Sequence, residues 1–340
     1  MLRYDSVHVN PQGPGDARPT AQQIVRDENL IGKLAGKTIF ITGANQGIGL
    51  ETARALHSTK ATLYLGVRDR TKAQQVIDDI HASDPTNNAP LHIIEISLDS
   101  LNSVRRAAND FLARNDKLNI LILNAGVMCT PEGKTVDGFE TQFGVNHLGH
   151  FLLFQLLKPA LLAGVTPSLN SRVVSVSSKG HRASEVRFHD YNFNEPGSYD
   201  ATEAYGQSKT ANIYLANEID RRYGSQGLHA TSLHPGAIKT NLLQYMDREI
   251  LDSVESNEEI QKMFKSATQG AATTVYAALS KEWENRGGRY LVDCAEGPAV
   301  RPGSDPMSFD GGYSPWAYDG GKAARLWADS NKMVGFDTNA

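Results

Sequence analysis

The run Thr38-Ile39-Phe40-Ile41 passes without interruption into Thr42-Gly43-Ala44-Asn45-Gln46-Gly47-Ile48-Gly49 and then into a helix-compatible stretch from Leu50 to His57. A strand, a glycine turn and a helix in direct succession constrain the fold more than any other feature, because they begin a βαβ unit. Glycines at 43, 47 and 49 let the backbone turn sharply and approach a pyrophosphate, and the helix behind them offers unpaired amides and the positive end of its dipole to phosphate. A tight turn that needs left-handed backbone would explain the same glycines without a ligand. The remainder of the chain decides between the two.

Strand and helix signals alternate from there on. Strands are predicted near 37–42, 61–67, 91–96, 118–123, 171–177, 228–234 and 289–292, and helices near 20–30, 71–80, 101–113, 138–162 and 203–223. Several strands are apolar at successive positions, as parallel strands covered on both faces are. The expected fold class is α/β, a doubly wound, Rossmann-like parallel sheet in three layers. No repeat or linker marks a second domain, so residues 33–340 are expected to form one domain behind a partly mobile extension at 1–32. Two long polar and aromatic loops, near 181–202 and 300–321, suit a substrate site or plain surface structure.

Composition narrows the partners. A chain of 340 residues with 40% hydrophobic content can bury a large core. Its formal net charge of −4, without a basic block, argues against nucleic acid. Two cysteines, Cys129 and Cys294, give no disulfide framework, and no apolar leader or anchor is visible, so a cytoplasmic protein is expected. The apolar run 151–157 ends at Lys158 and Pro159, too short for a bilayer, and reads as a buried helix. His147 and His150 lie three apart, but no carboxylate or cysteine completes a metal site, and no metal is expected.

The turn has the spacing Gly-x3-Gly-x-Gly, and with Thr42 it resembles the signature of the short-chain dehydrogenase/reductase family. Further family landmarks recur in order: Asn124-Ala125-Gly126, Asn146, Ser178, Tyr205-x3-Lys209 and Pro235-Gly236. The resemblance covers roughly residues 33 to 336. It implies an oxidoreductase that moves a hydride between a nicotinamide dinucleotide and a carbonyl or alcohol. By the same resemblance the pyrophosphate would lie on Gly43, Asn45, Gln46, Gly47, Ile48 and Gly49, and the adenine against Ser97 and Leu98, where the family commonly carries an Asp. The cofactor would lie flat on Asn124, Ala125 and Gly126. Its carboxamide would meet the Pro235-Gly236 turn through the Ile238 backbone and the Thr240 hydroxyl. At the end of the second strand an acid selects NAD and a cation the 2′-phosphate of NADP. Val67 stands in the acid's place with Arg68 beside it, which favours NADP(H) through a charge-assisted contact. Asp69, some twenty residues after Gly49, keeps NAD(H) open.

Tyr205 and Lys209 are one helical turn apart and share a face. A tyrosine alone ionises near pH 10, whereas a neighbouring ammonium and an oxidised nicotinamide favour the phenolate and lower that value. Lys209 would also bond the nicotinamide ribose. Ser178, with Ser177 as the adjacent alternative, ends an apolar strand and would bond the substrate oxygen. Asn146 matches the family asparagine that keeps a helix open and holds a water linking the lysine to solvent. The long interval from Ser178 to Tyr205, the run Asn146-His147-Leu148-Gly149-His150-Phe151 and the late Lys322-Ala323-Ala324-Arg325-Leu326-Trp327 resemble the retinol dehydrogenase and WW-domain oxidoreductase branch. An NADPH-binding scaffold or sensor without turnover, or a dehydration or epimerisation on the same fold, are the competing readings. The helix that holds 151–157 often pairs protomers in the family, which makes a homodimer one reading of that run; cover by the chain's own loops is the other.

Overall fold

The computed structural model describes residues 3–301, 303 and 312–336. Strand β1 (Thr38–Thr42) explains why the strands lack alternation: Ile39 and Ile41 enter one core and Phe40 the other, all fully buried. Both faces are therefore covered, and each strand position pays off in apolar burial. The other strands are β2 (Thr62–Val67), β3 (Leu91–Glu95), β4 (Ile120–Leu123), β5 (Ser171–Val176), β6 (Leu228–His234), β7 (Ala237–Ile238), β8 (Phe264–Lys265), β9 (Arg289–Val292) and β10 (Ala295–Glu296). Eight of them form one sheet in the order β3-β2-β1-β4-β5-β6-β9-β10, parallel except for β10. All seven expected strands fall within two residues of their predicted places. Strands β7, β8 and β10 have two residues each, too few to leave a periodic signal.

Winding reverses between β1 and β4, so the crevice of the doubly wound sheet opens beyond Thr42 and Leu123. Helices Gly47–His57, Arg70–Ser83 and Ala272–Leu279 line one core; Leu101–Leu112, Gly149–Gly164 and Ala201–Tyr223 line the other. Asp69, Ser100 and Asp200 cap three of these helices through their side chains, as helix starts require. The helix expected over 138–162 is broken into Thr141–Phe143, a wider π-turn at Gly144–Leu148, and Gly149–Gly164, which runs on through Pro159.

Within the extension expected over 1–32, residues 3–30 make specific contacts: Ile24 and Val25 are fully buried, and Arg18 is buried among backbone carbonyls. In the loop 181–202, Phe188 and Tyr191 pack on the core, and Tyr191 donates to Asp329 at 2.7 Å. Its near end meets Ser178 through His181, and at its far end the Tyr199 hydroxyl donates to Thr130 O at 2.7 Å. Residues 302 and 304–311 of the other expected substrate loop lie outside the described residues.

Helix Gly320–Met333 lies over the apolar run that suggested a dimer. Trp327 meets Phe151 and Phe154 edge-on at 5.1 and 6.0 Å between centroids, and Arg222 stacks on its other side at 4.6 Å. Phe151, Phe154 and Leu157 are thus buried by the chain's own C-terminal helix, the second of the two readings, and the run gives no support to a homodimer. No helix among the described residues is long and apolar enough to cross a membrane. Replacing Trp327 with Ala is expected to cost about 3–5 kcal/mol of stability, read from the denaturant midpoint. A loss below about 1 kcal/mol would remove this helix from the core.

Candidate active site

The glycine turn is shaped by contact with the end of β4. Gly43 has φ +70°, and a Cβ there would lie 2.9 Å from Ala125 Cα; one on Gly49 would lie 2.1 Å from Gly43 O. No side chain fits between these strands and the helix. Asn124 stitches the same place, donating from Nδ2 to Thr42 O at 2.9 Å and Gly43 O at 3.3 Å. Gln46, at the N-terminus of helix Gly47–His57, does not cap it, so the first-turn amides have no side-chain partner. Gln46 instead accepts from Asn241 at 2.9 Å, and Gly47 lies against the methyl of Thr240. Ile48 and Ile238 both border Gly270. The first and last landmarks of the sequence thus share one surface.

Thr42 Oγ1 accepts the amides of Asn124 (2.9 Å) and Ala125 (3.1 Å). His150 Nδ1 faces Asn146 O at 3.0 Å, which can only accept, so that nitrogen carries the proton. Its Nε2, 2.9 Å from Thr42 Oγ1, then accepts the threonine proton. Within the π-turn, Asn146 donates to Val127 O and Ser208 Oγ, both at 2.9 Å, and accepts from Val127 N at 2.8 Å. Its side chain is spent on the scaffold, and its carbonyl is shared with His150. The helix is locally open as the resemblance implied.

Ser178, just past β5, accepts from Gly180 N at 3.0 Å, and its hydroxyl favours the Tyr205 phenolate. A Cβ on Gly180 would lie 2.7 Å from the Tyr205 ring, so this glycine makes the room. Ser177, the adjacent alternative, turns away and donates to Lys209 O at 2.8 Å. Lys209 is buried, with Nζ donating to Val176 O at 3.0 Å and 5.6 Å from the centre of the Tyr205 ring. A Cβ on Gly126 would stand 3.1 Å from Asn146 Oδ1 and 3.4 Å from Lys209 Nζ. Small size at 126 keeps that edge open.

Burial decides the electrostatics. It pushes the Tyr205 phenol up to about 12, against the pull of the Ser178 hydrogen bond, and draws the Lys209 ammonium down to about 8. The lowering expected from a neighbouring ammonium together with an oxidised nicotinamide concerns the cofactor-bound site; among the chain's own groups desolvation dominates. Arg68 is exposed and makes no hydrogen bond or ion pair among the described residues. Asp69 caps helix Arg70–Ser83 through Lys72 N at 3.0 Å. The Ser97 hydroxyl is bonded to Asp99 and its amide to Ser103 Oγ; Leu98 is buried against Gly149.

A family model of the short chain dehydrogenases matches residues 37–192. The short-chain dehydrogenase/reductase prx1 of Penicillium roqueforti is 46% identical over 333 residues, 98% of this chain and 95% of its own. The chain belongs to the short-chain dehydrogenase/reductase family. Retinol dehydrogenase 14 of Mus musculus is 37% identical over 312 residues, 89% and 87% of the two chains, which places the protein in the retinol-dehydrogenase-like branch. An uncharacterised protein from Mycobacterium paratuberculosis has the same fold, with a TM-score of 0.66 at 33% identity over 91% of this chain and 97% of its own. Members of this family are oxidoreductases that bind NAD(P)(H), and the residues present suit a dinucleotide: a left-handed glycine turn, an uncapped helix start and a free cation at Arg68.

Two histidines of the short-chain dehydrogenase escaped the sequence reading. In the sequence His150 shows a three-residue spacing from His147 and a place in the run 146–151, neither of which signals its bond to Thr42. His181, fully buried, is the second: Nδ1 donates to Ser178 O at 2.6 Å, and Nε2 accepts from Ser314 N at 3.1 Å. It ties the end of β5 to the C-terminal segment. Its signal, a histidine three residues after the strand-end serine, has no general meaning in a single sequence. Burial lowers His147 and His150 to about 3 and His181 to about 4. These rings stay neutral in the fold and take protons when unfolded, so the stability they contribute is complete above about pH 6.5 and is lost as pH falls toward 4. The urea midpoint is expected to drop between about pH 7.5 and pH 5. An unchanged midpoint would refute neutral, buried imidazoles.

Proposed function

We propose that the protein is an NADP(H)-dependent oxidoreductase that interconverts a carbonyl and an alcohol on a small molecule, with Tyr205 as its proton-transfer group. The observation that carries this reading is the cluster of the partly buried Ser178 with the buried Tyr205 and Lys209 beside Gly126, at the carboxyl end of the sheet. When bound, the nicotinamide would supply or accept the hydride. Tyr205 would give a proton to the substrate oxygen or take one from it. Ser178 would donate a hydrogen bond to that oxygen as charge develops. Lys209, held by Val176 O, would favour the phenolate and bond the ribose. The phosphates would lie on Gly43, Asn45, Gln46, Gly47, Ile48 and Gly49, with Asn124, Ala125, Pro235, Gly236, Ile238 and Thr240 completing the bed, and Leu98 backing the adenine.

Preference for NADP(H) is supported by Arg68, which stands unpaired at the end of β2, and by Asp69, whose carboxylate already serves a helix start. A scaffold without turnover fits less well. Binding alone gives no reason to carry a phenol and an ammonium into a buried site where desolvation disfavours the charged form of each. Two unpaired thiols, Cys129 and Cys294, support a cytoplasmic location.

A carbonyl screen followed by NADPH and NADH absorbance tests the assignment. Turnover is expected with NADPH in preference to NADH, and Tyr205→Phe is expected to lower it at least about 10³-fold with cofactor affinity nearly intact. Equal turnover in that variant would reject the role of Tyr205; cofactor binding with no carbonyl reduced would favour the scaffold.

A further inference from the structure

If the reading above holds, β7 and the Pro235-Gly236 turn carry the nicotinamide end of the cofactor. Yet β7 and β8 pair only with each other, two residues on each side, apart from the main sheet. A ladder that short does not hold itself in water.

What holds it comes from the other end of the chain. Arg18, 5% exposed, donates from Nη2 to Phe264 O at 2.6 Å, Gly13 O at 3.2 Å and Lys262 O at 3.3 Å, and from Nη1 to Met263 O at 3.0 Å. Its Nε donates to Asp16 at 2.9 Å, which balances the buried charge. Burial opposes ionisation of Asp16, but bonds from Arg18 and the Gln12 amide outweigh it and hold the carboxyl at about 2. Gln269 closes the network. It donates to Asp16 O and Arg18 O, accepts from Gly15 N, and anchors the start of helix Ala267–Gly270. On the opposite side of β8, Phe264 and Lys265 pair with Ala237 and Ile238. A Cβ on Gly270 would lie 2.7 Å from Ile238, and Gly236, at φ +106°, presses on the Lys265 side chain. The segment 13–18, β8 and β7 thus form three consecutive layers, and one guanidinium ties the first to the second.

We infer that Arg18 is a positioning residue for the nicotinamide end of the cofactor: through the Phe264 carbonyl of β8 and the carbonyls of residues 262 and 263 just before it, it sets β7, and with it Ile238 and the Gly236 turn. This rests on the cofactor reading above. A second copy of the enzyme is not involved, and no contact of Arg18 with the cofactor is implied.

The test compares two ligands on the full-length protein and on Arg18→Gln: NADP(H), and 2′-phospho-ADP-ribose, which lacks the nicotinamide. Affinity for NADP(H) is expected to fall about ten-fold, with the fragment bound as before and the variant's circular dichroism unchanged. An equal change for both ligands, or no change for either, overturns the inference. Arg18→Lys, which keeps the charge without the planar fork, is read in the same way if the Gln variant is recovered unfolded. Unfolding of both would also overturn it, since Arg18 would then serve folding alone. If the wild type binds neither NADP(H) nor NAD(H), the cofactor reading itself fails, which is a different result from an unselective Arg18 variant.

Discussion

The hydroxyl of Thr42 accepts two amides just past β4 and donates a hydrogen bond to His150, whose other nitrogen donates to the carbonyl of Asn146. The last residue of β1, the Asn-Ala-Gly corner and the opened helix turn are therefore held in mutual register by one side chain. Asn146 extends the chain of bonds to Ser208 and from there to the carbonyl of Tyr205. Thr42, His150, Asn146 and Ser208 are buried, so breaking a link among them would leave an unsatisfied donor or acceptor costing about 1–3 kcal/mol. The glycine turn and the tyrosine helix, more than 150 residues apart in sequence, owe their relative placement to it.

Held in that frame, Tyr205 and Lys209 are pushed in opposite directions by the same cause. Desolvation raises the phenol and lowers the ammonium, because each is asked to be charged where water is scarce. The protein alone keeps its tyrosine protonated at neutral pH. Its lysine lies close to the range in which it can give up a proton. A cationic ring brought beside them would shift the balance toward the phenolate.

Much of this was legible in the sequence, and the parts that were not have physical reasons. Two-sided burial writes itself into runs such as Ile120–Leu123, so the sheet could be drawn residue by residue. Landmark spacing located Ser178, Tyr205, Lys209 and the glycine turn, and these do converge. The π-turn at Gly144–Leu148 has no periodic signature of its own. Cover of Phe151 and Phe154 by Trp327 joins positions far apart in sequence, and periodicity cannot tell such cover from a protomer interface. Arg18 sits in a Pro- and Gly-rich stretch that reads as a tail, because nothing local reveals the carbonyls of 262–264 that receive it. Spacing places Lys209 beside Tyr205, but it carries no measure of the desolvation that raises the phenol.

The central claim is that burial keeps the phenol of Tyr205 protonated until the oxidised cofactor binds. An ultraviolet difference titration, wild type minus Tyr205→Phe, with and without NADP⁺, measures it directly. Without cofactor, residue 205 is expected to show no phenolate below about pH 10; with NADP⁺ its ionisation is expected to move down by several pH units. The same titration curve in both states would contradict the account.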